Sequence, residues 1–243
     1  MAQQRQPERP QRERMEGAFG LQEERWTTAG PIRRPGPEER INELELNAQA
    51  TVADAAPLGL AAFAASTFTF GAVAAGWAAI TGAGPTGVTF LGTIPMLIIF
   101  GGIAQFVAAM WAFRRGDTFW ATFLGVFGSL YATLGISFLL LGVASIPVSV
   151  VAPSVAEGVA VAMFAFIAAY LTWAAVRVSV VMVGVLGFLT AALGLLSAAL
   201  FIGGGFLVLM AAGYCAIVSG LLAFYASAAI VVNSGYQREV LPY

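Results

Sequence analysis

The chain has very little charge over most of its length. Residues 55–113 contain no charged side chain, and only Glu157 and Arg177 interrupt residues 118–237. Charged residues make up 10% of the chain, whereas ordinary soluble domains contain roughly a quarter. A water-soluble domain is therefore excluded, and the pattern predicts an integral membrane protein in contact with lipid.

Histidine and lysine are absent, and the one cysteine, Cys215, lies in an apolar run. These absences exclude an intrachain disulfide, a Cys/His metal site and a Ser-His-Asp triad. The charge-free stretches also lack the ionisable groups that proton relays and voltage sensors use. We therefore expect no enzyme, no cofactor and no metal, and the net charge of −1 gives no reason to expect nucleic acid.

The first 54 residues have a different composition. They hold eight of the twelve arginines and ten of the thirteen acidic residues. Such a segment cannot bury a core, so residues 1–53 are predicted to form a disordered charged tail. Two alternatives stay open for residues 40–50, a short amphipathic helix on the membrane surface or a solvated linker with transient helicity.

Residues 54–243 contain six apolar stretches, each long enough for a membrane helix of about 20 residues. They lie at about 57–80, 88–113, 118–146, 159–176, 178–202 and 206–232. An all-α bundle of six transmembrane helices is therefore predicted. Small residues four apart, such as Gly187/Ala191 and Gly194/Ala198, predict close helix contacts.

The arginines give the bundle an orientation. If the N-terminus is inside, the Arg-rich tail, both loops that contain Arg114, Arg115 and Arg177, and Arg238 all fall on the cytoplasmic side, as the positive-inside rule requires. Five or seven spans would break this agreement. Both termini are therefore expected in the cytoplasm, and the protein is expected to be a multi-pass protein of the cell membrane.

Inside the spans, the only side chains that could bind a polar solute are uncharged ones. An amide in lipid needs partners on other helices, so a glutamine there favours either interior packing or pathway lining. A serine or threonine hydroxyl most simply bonds back to its own helix. The polar candidates for lining a pathway are Gln105, Ser66, Thr67, Tyr131 and Thr190.

Three motifs occur in order along the chain. They are APLGLAAF at 56–63, GGIAQ at 101–105 followed by FRRGDTF at 113–119, and VLP at 240–242. They resemble the first-span signature, the second span with its loop, and the ending of the acetate/succinate transporter family (YaaH type), over about residues 54–243. The resemblance implies a hexamer of six-helix bundles, with a pathway through each protomer for acetate and, in some members, succinate.

The family's pathway is narrowest at a Phe, a Tyr and a Leu from spans 1, 3 and 5. The resemblance places this constriction at Phe63, Phe127 and Leu186, with Leu189 as the alternative for the third position. Phe127 lacks the hydroxyl of the family's tyrosine. The resemblance implies transport of a small monocarboxylate, acetate first, past this constriction, with Gln105 and nearby hydroxyls substituting for water.

The inner mouth of this pathway is expected at the start of the first span. Pro57 lies where the helix should begin, and proline is favoured in a first turn. Asp54, three residues earlier, is a predicted N-cap. Together with Ala55 it replaces the Asn-Pro of the family signature and brings a carboxylate to the mouth.

Two other functions stay open. The first is a non-transporting structural or sensory membrane protein that acts through its charged N-terminal tail. The second is a channel for another small solute, such as ammonia. A channel and a proton-coupled carrier are equally compatible with the sequence.

Overall fold

The computed structural model describes residues 36–50, 53–77, 88–143, 155–203 and 205–243. The chain divides into two compact units, Met1–Ala50 and Thr51–Tyr243. In the first unit, helix α1 (Pro37–Ala50) includes the segment at 40–50, for which the sequence predicted either a short surface helix or a solvated linker. The Gly36 N–H donates to Glu39 Oε2 at 2.9 Å, which is half of a capping box. Of the tail predicted to be disordered, residues 1–53, the part at 1–35 lies outside the described residues.

In the second unit, six spans are long and apolar enough to cross a membrane, and the predicted six-helix, all-α architecture is confirmed. They are α2 (Ala56–Ala74), a composite second span (α3, Val88–Pro95; a π-helical segment, Met96–Ala104; α4, Gln105–Arg114), α5 (Thr118–Val143), α6 (Val155–Ala175), α7 (Val180–Phe201) and α8 (Phe206–Tyr236).

Some helix ends differ from the predicted span limits. Helix α6 begins at Val155, one turn before the predicted 159, and so has Glu157 in its first turn. A carboxylate there is favoured by the positive end of the helix dipole. Helix α2 ends at Ala74, short of the predicted 80, and Gly76 follows with a φ of +80° that favours glycine.

The second span is not a regular α-helix. Pro95 lacks the N–H that an α-helical ladder needs, and a nine-residue π-helical segment follows directly after it. The Ser66 hydroxyl of α2 donates to the Met96 carbonyl at 3.4 Å, at the start of this segment. Because a π-turn adds a residue per turn, the segment sets the face on which α4 presents Gln105.

Buried serines connect the last three helices to their neighbours. Ser197 of α7 donates to the Gly158 carbonyl of α6, and Ser219 of α8 donates to the Val185 carbonyl of α7, both at 2.8 Å. Ser227 of α8 donates to the Pro57 carbonyl of α2 at 2.7 Å. In an apolar environment such bonds replace those that water would make, so they fix the helices against one another.

Candidate functional site

A cluster of aromatic rings occupies the middle of the bundle. The Phe63 ring of α2 lies 5.1 Å from Phe123, 6.0 Å from Phe127 and 6.1 Å from Tyr131, measured between centroids. The three partners are spaced by four residues on α5 and therefore share one helix face. Leu186 of α7 is fully buried and belongs to the same apolar core. The structure thus brings Phe63 and Phe127 into ring contact and places Leu186 in the core they share.

A pair of hydroxyls lies one turn beyond Phe63. The Thr67 hydroxyl donates to the Phe63 carbonyl at 2.6 Å, and it is also hydrogen-bonded to the Tyr131 hydroxyl. Since Thr67 has one hydroxyl proton and has used it, Tyr131 is the donor to Thr67. Tyr131 therefore brings a hydroxyl to the aromatic cluster one turn after Phe127, whose ring has none.

A cavity of about 50 Å³ begins at this pair. A water molecule needs roughly 10–15 Å³ by this kind of measure, so the cavity has room for about three to five. Of the fourteen described residues that line it, only Thr67 and Tyr131 have polar side chains, and the rest are apolar residues such as Phe70, Val161 and Leu189. Helices α2, α5, α6, α7 and α8 all contribute to its wall.

The predicted constriction lies next to this cavity on three helices. Phe63 precedes Thr67 in α2, Phe127 precedes Leu130 in α5, and Leu186 precedes Leu189 in α7, by one turn in each case. These helices begin near Asp54, Asp117 and Ser179, the same end of the bundle as the arginine-bearing loops. Leu189, the alternative to Leu186, lines the cavity itself.

Gln105 is the least satisfied side chain of the described core. It is fully buried, and neither its Nε2 nor its Oε1 has a hydrogen-bond partner among the described residues. Its Cα lies one turn after Gly101, where an added Cβ would touch the Tyr131 Cβ at 2.9 Å. An unsatisfied buried polar group costs about 1–3 kcal/mol. The amide is therefore suited to a partner that the described chain does not supply, such as water or a solute.

Two other predicted pathway hydroxyls lie elsewhere. Ser66 is buried at the crossing of α2 and the π-helical segment. Thr190 donates to the Leu186 carbonyl at 2.8 Å and lies 3.2 Å from the Thr172 hydroxyl of α6. Neither residue lines the cavity.

Charged groups gather where α2 and α5 begin. Ala55, not Asp54, is the N-cap of α2, but Asp54 Oδ1 still accepts from the Ala56 N–H at 3.0 Å. The same oxygen lies 2.7 Å from an Arg115 guanidinium nitrogen, an ion pair that the sequence did not predict. Pro57 lies in the first turn of α2, as expected.

The C-terminal segment also reaches this end. The Asn233 side chain donates to the Leu241 carbonyl and accepts from the backbone N–H groups of Val240 and Leu241. These bonds fold residues 237–243 back along α8. Burial and the carboxylates of Asp54 and Asp117 raise the pKa of Tyr243, so this ring is close to both acids.

Asp54→Asn is expected to change the free energy of unfolding by less than about 1 kcal/mol, because the Asp54–Arg115 pair is partly exposed and such pairs contribute little. An asparagine oxygen can still accept from the Ala56 N–H. Thermal unfolding in detergent would measure the change. Asp54→Ala, which also removes the acceptor, is the matched variant and should lose more stability, and a large loss already present in Asp54→Asn would show that the ion pair itself is important.

Comparisons with known proteins agree with the motifs. The model of the GPR1/FUN34/yaaH family matches residues 40–240. An uncharacterized protein of Methanothermobacter thermautotrophicus is 27% identical over 212 residues, covering 83% of this chain and 96% of the relative. The solved structure of the bacterial acetate channel SatP superposes with a TM-score of 0.68 at 25% identity, covering 79% of this chain and 99% of that one.

Proposed function

Because the chain belongs to the GPR1/FUN34/yaaH family, we propose that it moves acetate or a similarly small monocarboxylate across the membrane, along a pathway inside each protomer. The observation that carries the proposal is the cavity between five helices, which ends at the Thr67–Tyr131 pair. The likeness to the solved acetate channel supports the choice of solute.

The proposed route passes from the cavity to the constriction. A solute of a few heavy atoms occupies the cavity with its carboxyl group at the hydroxyl pair and its methyl group against the apolar wall. Phe63, Phe127 and Leu186 then form an apolar constriction that admits a solute only after it sheds most of its water. Gln105 supplies hydrogen bonds near this level in place of that water. The single hydroxyl pair favours a solute with one carboxyl group over succinate, which has two.

The membrane arrangement is part of the same proposal. The bundle end that contains Asp54, Arg115 and Asp117 faces the cytoplasm of a cell membrane, with residues 1–53 as a cytoplasmic tail. The outer faces of the spans are strongly apolar, and Trp173 and Val180 are 85% and 87% exposed. Such faces suit lipid and also a homo-oligomer, a hexamer by the family resemblance.

Purified protein in liposomes tests the transport function. Uptake of labelled acetate should be faster than in empty liposomes of the same composition and should decline when unlabelled acetate competes. Uptake equal to that of empty liposomes would contradict the proposal. If ammonia, but not acetate, crossed faster than in empty liposomes, the alternative solute would be correct.

Filling the cavity should stop transport. Ala192 lines the cavity, whereas its neighbour Ala191 is exposed on the same helix. Ala192→Leu is expected to lower acetate uptake at least about ten-fold, because even one methylene matters in a packed site. Ala191→Leu should leave uptake unchanged. Equal uptake by the two variants would show that this cavity is not on the route.

A further inference from the structure

We propose that residues 237–243 form a latch that holds closed the end of the bundle at which α2, α5 and α7 begin, and that transport requires the release of this latch. The inference rests on the proposed function, because it concerns how a solute passes this end of the route. It starts from the packing between the constriction and the three helix starts.

The route is closed between the constriction and this end of the bundle. The cavity lies on the far side of the constriction, because its lining residues on α2, α5 and α7 all follow Phe63, Phe127 and Leu186 along their helices. One turn before each of these three residues lies another fully buried side chain. The three side chains form an inner layer, which consists of Leu60, Leu124 and Met182.

Helices α2 and α5 are in close contact at the inner layer. A Cβ added to Gly59 of α2 would overlap the Leu124 side chain of α5. Interiors packed at this density do not deform gradually, and they open when whole elements move. The starts of α2 and α5 must therefore separate before a solute can pass between the constriction and this end.

The latch is held at the level at which α2 begins. Ser227 of α8 donates to the Pro57 carbonyl in the first turn of α2. Tyr225, in the same turn of α8 as Ser227, donates from its hydroxyl to the Pro242 carbonyl at 2.5 Å. The far end of the latch therefore lies beside a helix start that has to move.

Tyr243 brings the latch close to both of these helix starts. Burial and then the carboxylates of Asp54 and Asp117 raise the pKa of Tyr243, so its half-buried ring is near the residues that precede α2 and α5. The Asp54–Arg115 ion pair also joins the two starts, but it is partly exposed and such pairs contribute little. The latch is therefore the better candidate for what keeps the starts together.

A few hydrogen bonds hold the latch against backbone strain. The Asn233 side chain makes three of them, with the backbone of Val240 and Leu241. Gln237 joins α8 to the latch with a φ of +52°, a conformation that suits glycine and is unfavourable for a residue with a Cβ. Because this strain opposes the folded-back conformation, the latch stays in place only while Asn233 and Tyr225 hold it.

Release of the latch should speed transport. Asn233→Ala removes three hydrogen bonds and Tyr243→Ala removes the ring beside the helix starts. Each change should raise the initial rate of acetate uptake into proteoliposomes about ten-fold, the factor that corresponds to about one net hydrogen bond. Ser234→Ala, on an exposed neighbour of Asn233, is the matched control and should leave the rate unchanged. Rates in both latch variants that equal or fall below the rate of the parent protein would overturn the inference.

Gln237→Gly should have the opposite effect. Glycine adopts a positive φ without the cost that glutamine carries, so this change stabilises the latched conformation. We expect acetate uptake to be about five-fold slower, with a midpoint of thermal unfolding that is unchanged or higher. If the bonds of Asn233 only cap α8, Asn233→Ala should lose stability and uptake together, and that result would overturn the inference.

Thiol labelling tests the latch without transport. Leu124→Cys, made together with Cys215→Ser, places one thiol in the inner layer, and Thr118→Cys in the same background places one on an exposed position at the start of α5. In detergent, a charged methanethiosulfonate reagent should label Leu124→Cys about ten-fold faster once Asn233→Ala is added, whereas the labelling of Thr118→Cys should not change.

The two readouts separate the latch from the proposed function. Unchanged labelling of Leu124→Cys, with acetate uptake intact, would overturn the latch and leave the proposed function in place. Faster labelling without acetate uptake in any variant would contradict the proposed function and still support a latch that closes this end of the bundle.

Discussion

Phe63→Ala is expected to let longer monocarboxylates, such as butyrate, pass at rates that approach the rate of acetate. Phe63 touches Phe123, Phe127 and Tyr131, so its ring fills the centre of the aromatic cluster that we propose as the constriction. Removing it opens space that an extra methylene or two can occupy. We expect the ratio of butyrate to acetate uptake to rise by about ten-fold or more, the range that one or two methylenes control in an apolar pocket.

This ratio is measured by competition in the same vesicles, so it does not depend on how much protein is folded. That matters because a buried Phe→Ala change costs about 3–5 kcal/mol of stability. Phe166→Ala, on a side chain that is 68% exposed, is the matched control and should leave the ratio unchanged. An unchanged ratio in Phe63→Ala, with acetate uptake preserved, would show that Phe63 is not part of the constriction.

Gly213→Ala is expected to cause the largest loss of stability of any single methyl addition proposed for this chain. A Cβ at Gly213 would lie 2.6 Å from the Gly71 carbonyl oxygen and would overlap the Ala75 backbone nitrogen. The obstacles are backbone atoms of α2, which cannot rotate away as side chains do. Overpacking of this kind costs about 1–3 kcal/mol, and a backbone clash belongs at the upper end.

The matched control is Gly194→Ala. Nothing lies within 4 Å of a Cβ at Gly194, so this change should be neutral or slightly stabilising, because alanine favours helix over glycine by up to about 1 kcal/mol. Thermal unfolding in the same detergent compares the two variants. Equal midpoints would show that α2 and α8 do not pack as closely as described.

The sequence predicted the six helices well because their signal is local. Long charge-free runs, interrupted by Arg114, Arg115 and Arg177, define spans without any knowledge of packing. The stripe of Phe123, Phe127 and Tyr131 on α5 is also a local pattern. The meeting of Phe127 with Phe63 was expected only through the family resemblance, and the contacts of Phe123 and Tyr131 with Phe63 were not predicted.

Features that depend on two distant segments were not predictable in this way. The hydrogen bond between Thr67 and Tyr131 joins residues 64 positions apart, and the Asp54–Arg115 ion pair joins two helix ends. Pro95 indicates a break in the second span, but the nine-residue π-helical segment that follows it was not predicted from the sequence.

Glycine spacing was an incomplete guide for the same reason. The spacing predicted a close helix contact at Gly194, which has open space around it. It did not identify the close approach of Gly71 and Gly213. Spacing identifies a face of small residues, but it does not say which neighbour that face meets.

The most direct measurement asks whether acetate passes Leu186. The variant Leu186→Cys, made together with Cys215→Ser so that it contains one thiol, is treated with the small reagent methyl methanethiosulfonate in proteoliposomes. We expect modification to block acetate uptake and acetate to slow the modification, whereas Phe188→Cys, on an exposed position two residues away, should be modified without loss of uptake. Full modification of Leu186→Cys, verified by mass spectrometry, with acetate uptake unchanged would contradict a pathway through Phe63, Phe127 and Leu186.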